Sequence, residues 1–203
     1  MAELKTQYMG IELKNPIIAG ACSLTSQMSS IKKLEDAGVG ALVVKSLFEE
    51  QIKLERYRHD EELHRDDNYY SEMITVFPEL EHSGPEEHLN WVRKTKESVS
   101  IPVIGSLNAT EPETWSEYAK LLEETGVDGL ELNFYRLPTD FDTEAADIEK
   151  EQIDTVKKVL SSVNVPVSIK LSPYYTSPLG FFKKLDDAGV KGLVLFNRLV
   201  QPS

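Results

Sequence analysis

An α/β fold built on a parallel sheet is predicted by three observations. Short apolar, β-branched runs alternate along the chain with stretches of helical periodicity. A weak internal repeat, DAGVGALVVKS at 36–46, ETGVDGLELNF at 124–134 and DAGVKGLVLFN at 187–197, sets a glycine at a helix end two or three residues before each strand. The strand candidates themselves are apolar nearly throughout, as strands covered on both faces are.

In chain order the strands are expected at Pro16–Ala19, Ala41–Lys45, Pro102–Leu107, Gly129–Asn133, Pro166–Leu171 and Gly192–Asn197. Pro102 and Pro166 stand at strand entry, where a missing backbone donor is tolerated. Thr110 and Glu113 have capping-box spacing and open a helix through WSEYAKLLEETG, which Gly126 stops. AADIEKEQIDTVKKVLSSV and SPLGFFKKLDDAG read as further helices, and Glu86 with Glu87 as the first turn of another. Acidic and basic residues mix in EEQIKLERYRHDEELHRDD at 49–67, the pattern of an exposed helical excursion. No linker or low-complexity tract divides the chain, so residues 1–203 are expected to form a single domain.

The 203 residues are 40% hydrophobic and 28% charged, enough for one sizeable core. A net charge of -12 opposes nucleic-acid binding, which needs a basic surface. No run approaches the roughly 18 apolar residues of a membrane span. MAELKTQYMG lacks the organisation of a signal peptide, and a cytoplasmic protein is expected. Cys22 is the one cysteine, so no intrachain disulfide forms. His59, His64, His82 and His88 lack helical metal spacing and read as surface residues; no metal site is expected. No serine nucleophile elbow, Walker loop or GxGxxG is present.

The polar residues fall in one kind of place. The strands carry Lys45 (VVKS), Asn108 (GSLN), Asn133 (ELNF), Lys170 (SIKL) and Asn197 (LFNR) at their carboxyl ends. Taken singly, an asparagine there caps or turns the chain and a lysine snorkels to water. Five together at the ends where parallel α/β proteins bind ligands point to one polar site. A planar heterocycle suits it, because amides donate and accept along ring edges while ammonium groups offset negative charge developing on reduction.

With these residues the chain resembles the dihydroorotate dehydrogenases, FMN-dependent (β/α)8 TIM barrels. MGIELKNPIIAGA is similar to that family's opening hairpin and first strand. VVKS, GSLN, ELN, IKLSP and FN follow in the family's order along the first six strands. The resemblance implies about six of the eight βα units and an FMN cradle. In it Lys45 lies near flavin and substrate, and Lys170 stabilises negative charge on the reduced ring; both count as catalytic. Asn108 and Asn133 bond flavin or substrate, Asn197 contacts the substrate, and Ala19, Gly20 and Ala21 let the ring approach. The implied reaction is oxidation of dihydroorotate or a related small molecule by hydride transfer to flavin, a step of pyrimidine biosynthesis.

Two departures stand against the family pattern. Where the family carries a Cys or Ser base after the fourth strand, this chain reads NFYRLPTDFD. Arg136 takes the base's offset, and a guanidinium that stays protonated accepts no proton. Tyr135 is able to exchange a proton there, or simply packs. The family's Asn-x-x-Gly-x-x-Asn segment is not evident, and NYYSEM at 68–73 stands roughly in its place. The second departure is length, since six strands leave a barrel two short. Either a piece of a longer protein or a chain completed by a partner, such as a homodimer, is expected. The rival readings are a phosphosugar-metabolising barrel, which wants carboxylates at Asn133 and Asn197, and an inert flavin-binding barrel that has lost its base.

Overall fold

The computed structural model describes residues 4–49, 52, 84–135 and 141–197. His59, His64, His82, the NYYSEM segment, Arg136 and nearly all of the 49–67 excursion lie outside the described residues.

The chain opens with an antiparallel hairpin, β1 (Thr6–Tyr8) and β2 (Ile11–Leu13). Met9 and Gly10 turn it with φ of 55° and 80°, the paired positive values that a two-residue hairpin loop needs to match strand twist. The order then runs β3 (Ile18–Ala19), α1 (Met28–Asp36), β4 (Ala41–Val43), β5 (Leu47–Phe48), α2 (Pro85–Ser98), β6 (Val103–Asn108) and α3 (Pro112–Glu123). It continues through β7 (Gly129–Phe134), α4 (Ala145–Ser162), β8 (Val167–Leu171), α5 (Pro178–Ala188) and β9 (Gly192–Leu195). Strands β3, β4, β6, β7, β8 and β9 pair in parallel in that order, and β5 adds beside the far end of β6. Six parallel strands neighbouring one another in chain order, with helices between them, make the larger part of a (β/α)8-type barrel.

The predicted strands are all present, with shifted ends. Pro16–Ala19 shortens to two residues because the Asn15 carboxamide accepts from Ile17 N at 3.0 Å and holds the preceding segment in a turn. Beyond β4, Val44 N still donates to Ile104 O; beyond β9, Asn197 N donates to Leu171 O. The glycines of the repeat, Gly38, Gly126 and Gly189, have φ of 94°, 87° and 104°, so each leaves its helix through the left-handed region.

Two expectations are overturned. Thr110 and Glu113 form no capping box: Pro112 takes the first helical position of α3, which makes Glu111 the residue before it, with no side-chain cap. Thr110 instead donates its hydroxyl to Glu49 Oε2 at 2.6 Å, and the backbone N–H groups of Thr110 and Glu111 donate to the same oxygen. A buried carboxylate from the end of β5 thus meets the positive end of α3. Glu113 turns away to Lys158 at 2.8 Å. His88 is not a surface residue. It is 3% exposed in α2, its ring 5.7 Å from Trp91, because Pro85, His88, Trp91, Val92 and Thr95 share the helix face that packs inward.

The core has two parts. Alternation sends Leu42, Val103, Leu107, Leu130, Leu132, Phe134, Val167, Ile169 and Leu171 outward against the helices, where they join Trp115, Leu122, Val159, Phe181 and Leu185. Each fully buried leucine there contributes about 1.5–3 kcal/mol. Phe134 and Trp115 meet edge to face at 5.0 Å. The opposite, inner face holds a smaller cluster of Met9, Val43 and Ile104, joined by Tyr8, Ile11 and Ile18. Met9 plugs this end because Gly129 leaves room for it; a Cβ on Gly129 would lie 2.7 Å from Met9 Cε.

Candidate active site at the carboxyl ends of the strands

The inner face changes character along the strands. Its first row is apolar, with Val43 paired to Ile104. Two residues on, register aligns Ser106 with Glu131, Glu131 with Ser168 and Ser168 with Gly192. In the next row Asn133 faces Lys170 and Lys170 faces Val194, with Asn108 at the end of β6 beside them. Apolar packing therefore gives way to polar groups toward the carboxyl ends.

All five predicted strand-end residues, Lys45, Asn108, Asn133, Lys170 and Asn197, are half-buried, while the residues before them on the inner face are mostly enclosed. Asn197 Nδ2 donates to Asn133 Oδ1 at 2.9 Å, joining two positions 64 apart in sequence. Lys170 Nζ lies 3.8 Å from Glu131 Oε1. Asn133 and Asn197 are thus hydrogen-bonded, and Lys170 stands beside Asn133 in the sheet register; Lys45 lies between β4 and β5, and Asn108 ends β6 beside Phe48 of β5. Of the three small residues at the first strand, Ala21 packs with the inner cluster, Gly20 is exposed and a Cβ there would meet nothing, while Ala19 packs with the outer core. Tyr135 follows β7 with its hydroxyl oxygen buried.

Glu131 was missed by sequence reasoning. The signal was present: a charged residue inside GLELNF, two positions before Asn133 and so on the same face. It is 5% exposed. Burial pushes its carboxyl above the ordinary value, with the Lys170 ammonium opposing. From the hairpin side, burial also pushes the Tyr8 hydroxyl up; the Ser168 hydroxyl opposes this and the Glu131 charge adds to it.

A stability prediction follows from Glu131. The folded chain holds this proton more tightly than the unfolded one, so the contribution is fully present below pH 4.5 and is lost as pH rises through the folded value. In Glu131→Gln that loss is expected to vanish. Urea unfolding measured from pH 4.5 to about pH 8 should show a smaller decline in the variant than in the wild type; equal declines would refute the assignment.

The residues fit a flavin in chemistry: amides and an ammonium line one row, and open space at Gly20 leaves room for a flat ring. No described helix is long and apolar enough to cross a membrane.

No family model matches the chain. The catalytic subunit of dihydroorotate dehydrogenase B (NAD(+)) from Methanocaldococcus jannaschii is 28% identical over 199 residues, covering 96% of this chain and 62% of that protein. Its counterpart from Thermoplasma volcanium is 26% identical over 201 residues, with 96% and 62% covered. The putative dihydroorotate dehydrogenase A (fumarate) of Aeropyrum pernix is 27% identical over 202, with 97% and 62% covered. The chain therefore spans about 62% of the length of these relatives. Among solved structures, 2,3-dimethylmalate lyase, of the PEP mutase/isocitrate lyase superfamily, aligns at TM-score 0.52 and 12% identity over 88% of this chain and 56% of that one. YagE, a prophage protein of the dihydrodipicolinic acid synthase family from E. coli K12, aligns at 0.52 and 19% over 85% and 51%. These two likenesses speak to the fold alone. Along 96% of its length the chain is thus similar, at 26–28% identity, to catalytic subunits of dihydroorotate dehydrogenase B.

Proposed function

We propose that the chain carries the strand-end part of an FMN-dependent oxidoreductase of the dihydroorotate dehydrogenase kind. The observation that carries this reading is the hydrogen-bonded pair of Asn133 and Asn197, with Lys170 beside Asn133 in the sheet register, at the carboxyl ends of β7, β8 and β9 in a chain similar to those enzymes. Bound FMN would supply the hydride acceptor. Asn108 and Asn133 hold the ring through their amides, Lys45 lies toward ring and substrate, and Gly20 with Ala21 leave room for the ring at the first strand. Lys170 offsets the negative charge of the reduced ring, and Asn197, tied to Asn133, orients a small substrate such as dihydroorotate. The proton that leaves with the hydride needs an acceptor. Tyr135, its hydroxyl buried at the end of β7, is the candidate for it within the described residues.

Each outer strand, β3 and β9, has one edge without a pairing strand among the described residues, and Ile17, Leu195 and Phe196 are exposed there. Open apolar edges invite pairing, so further βα units or a second chain completes the barrel.

The test is a titration with FMN followed by flavin absorbance and fluorescence. Saturable one-to-one binding is expected, with bleaching when dihydroorotate is added without oxygen. A folded chain extended to the length of its relatives that stays colourless would sink the reading. Bound flavin that no dihydropyrimidine reduces would turn it into a flavin-binding protein.

A further inference from the structure

Glu131 occupies a place that packing alone would give to an apolar side chain. Leu130 and Leu132 on either side are fully buried against the helices, and alternation turns Glu131 to the inner face between Ser106 and Ser168. Its side chain is 7% accessible and that of Lys170 is 20%, against 78% and 45% for the surface pair Glu113 and Lys158. An ionised carboxylate held this far from water persists only beside a charge partner or hydrogen-bond donors. Lys170 is that partner, one row nearer the carboxyl ends and level with Asn133.

We infer that Glu131 is a positioning residue for Lys170: its carboxylate holds the ammonium against the inner face and sets how much positive charge the Asn133 row presents to a ligand. The second half rests on the flavin reading above. With the carboxylate ionised, Lys170 is largely neutralised toward the barrel interior, and an electron-rich ring at the strand ends meets a tempered cation. Removing the carboxylate frees the amine and leaves its charge uncompensated.

The first experiment needs no flavin. Acylation of the folded chain with acetic anhydride, read residue by residue by mass spectrometry, compares wild type, Glu131→Gln and Glu131→Asp. Lys170 should become about tenfold more reactive in the Gln variant, the scale of one lost charge contact in an enclosed site. The Asp variant should fall between, and Lys158 and Lys184, paired with Glu113 and Glu149, should not change. Unchanged Lys170 reactivity in the Gln variant overturns the proposal. If that variant does not fold, Lys170→Met added to it removes both charges. A folded double variant then supports the pairing, and one that fails equally overturns it.

The second experiment measures the reduction potential of FMN bound to wild type and Glu131→Gln. A more positive potential in the variant is expected, and an identical one overturns the charge-setting role. If neither protein binds FMN while Lys170 reactivity still responds to Glu131, the flavin reading fails and the pairing stands.

Discussion

A Gly40→Ala variant is expected to lose about 3 kcal/mol of stability, the upper part of the usual range for forcing extra volume into a packed site. A Cβ on Gly40 would collide with the backbone carbonyl oxygen of Asn15, a group with no rotamer to escape into. The contact is tight because three hydrogen bonds close it. Gly40 N donates to Ile17 O at 2.7 Å, Asn15 Nδ2 donates to Gly38 O at 2.8 Å, and Asn15 Oδ1 accepts from Ile17 N. Together they lay the entry to β3 against the turn between α1 and β4, and so fix the first strand of the sheet beside the second. Relief of the clash would move that entry and with it Gly20 and Ala21. Gly20→Ala is the control, since a Cβ there meets nothing and the change should stay within about 0.5 kcal/mol. Urea unfolding of the two variants beside the wild type measures both; a Gly40→Ala variant as stable as Gly20→Ala would mean that the Asn15 segment yields freely.

Strand positions were legible because most are apolar β-branched or leucine runs bracketed by residues with a fixed backbone meaning. Pro102 and Pro166 lie just before Val103 and Val167, and the left-handed glycines 38, 126 and 189 precede β4, β7 and β9. The five strand-end residues were legible for the same reason, since the ends of parallel strands are a place that sequence marks. What escaped notice depended on partners distant in sequence or on a period read too locally. Nothing near Thr110 announces that Glu49, 61 residues earlier, takes its hydroxyl. The proline at 112 did carry a warning, because proline prefers the first helical position and so moves the helix start past Thr110. His88 was read as a surface residue because it lacks metal-ligand spacing, whereas its spacing to Trp91, Val92 and Thr95 places it on the inward face of α2. Glu131 sits within an apolar run, where a charge signals either a broken strand or a site. The intact ladder from Ile104–Gly129 to Phe134–Leu171 excludes the broken strand.

Asn133→Leu is expected to weaken FMN affinity between about tenfold and a hundredfold, the range set by roughly 1–3 kcal/mol for a lost partner in an enclosed polar group. Leucine nearly matches asparagine in shape and suits a strand, so β7 should remain paired through Leu132 and Phe134 and the melting temperature should change little. What disappears is the amide: its carbonyl oxygen accepts from Asn197 Nδ2, and its own NH2 is the donor the flavin reading assigns to the ring. Asn197→Leu separates these two uses, because it removes the same bond from the donor side and leaves the Asn133 amide in place. Equal losses of FMN affinity in the two variants would mean that the bond between the asparagines organises the cradle. A larger loss for Asn133→Leu, with Asn197→Leu impaired mainly in its response to substrate, is the outcome expected if Asn133 touches the ring and Asn197 the substrate. Fluorescence titration with FMN, followed by reduction with dihydroorotate, distinguishes them. Full affinity in both variants would remove Asn133 and Asn197 from the cradle and leave any flavin against Lys45, Asn108 and Lys170.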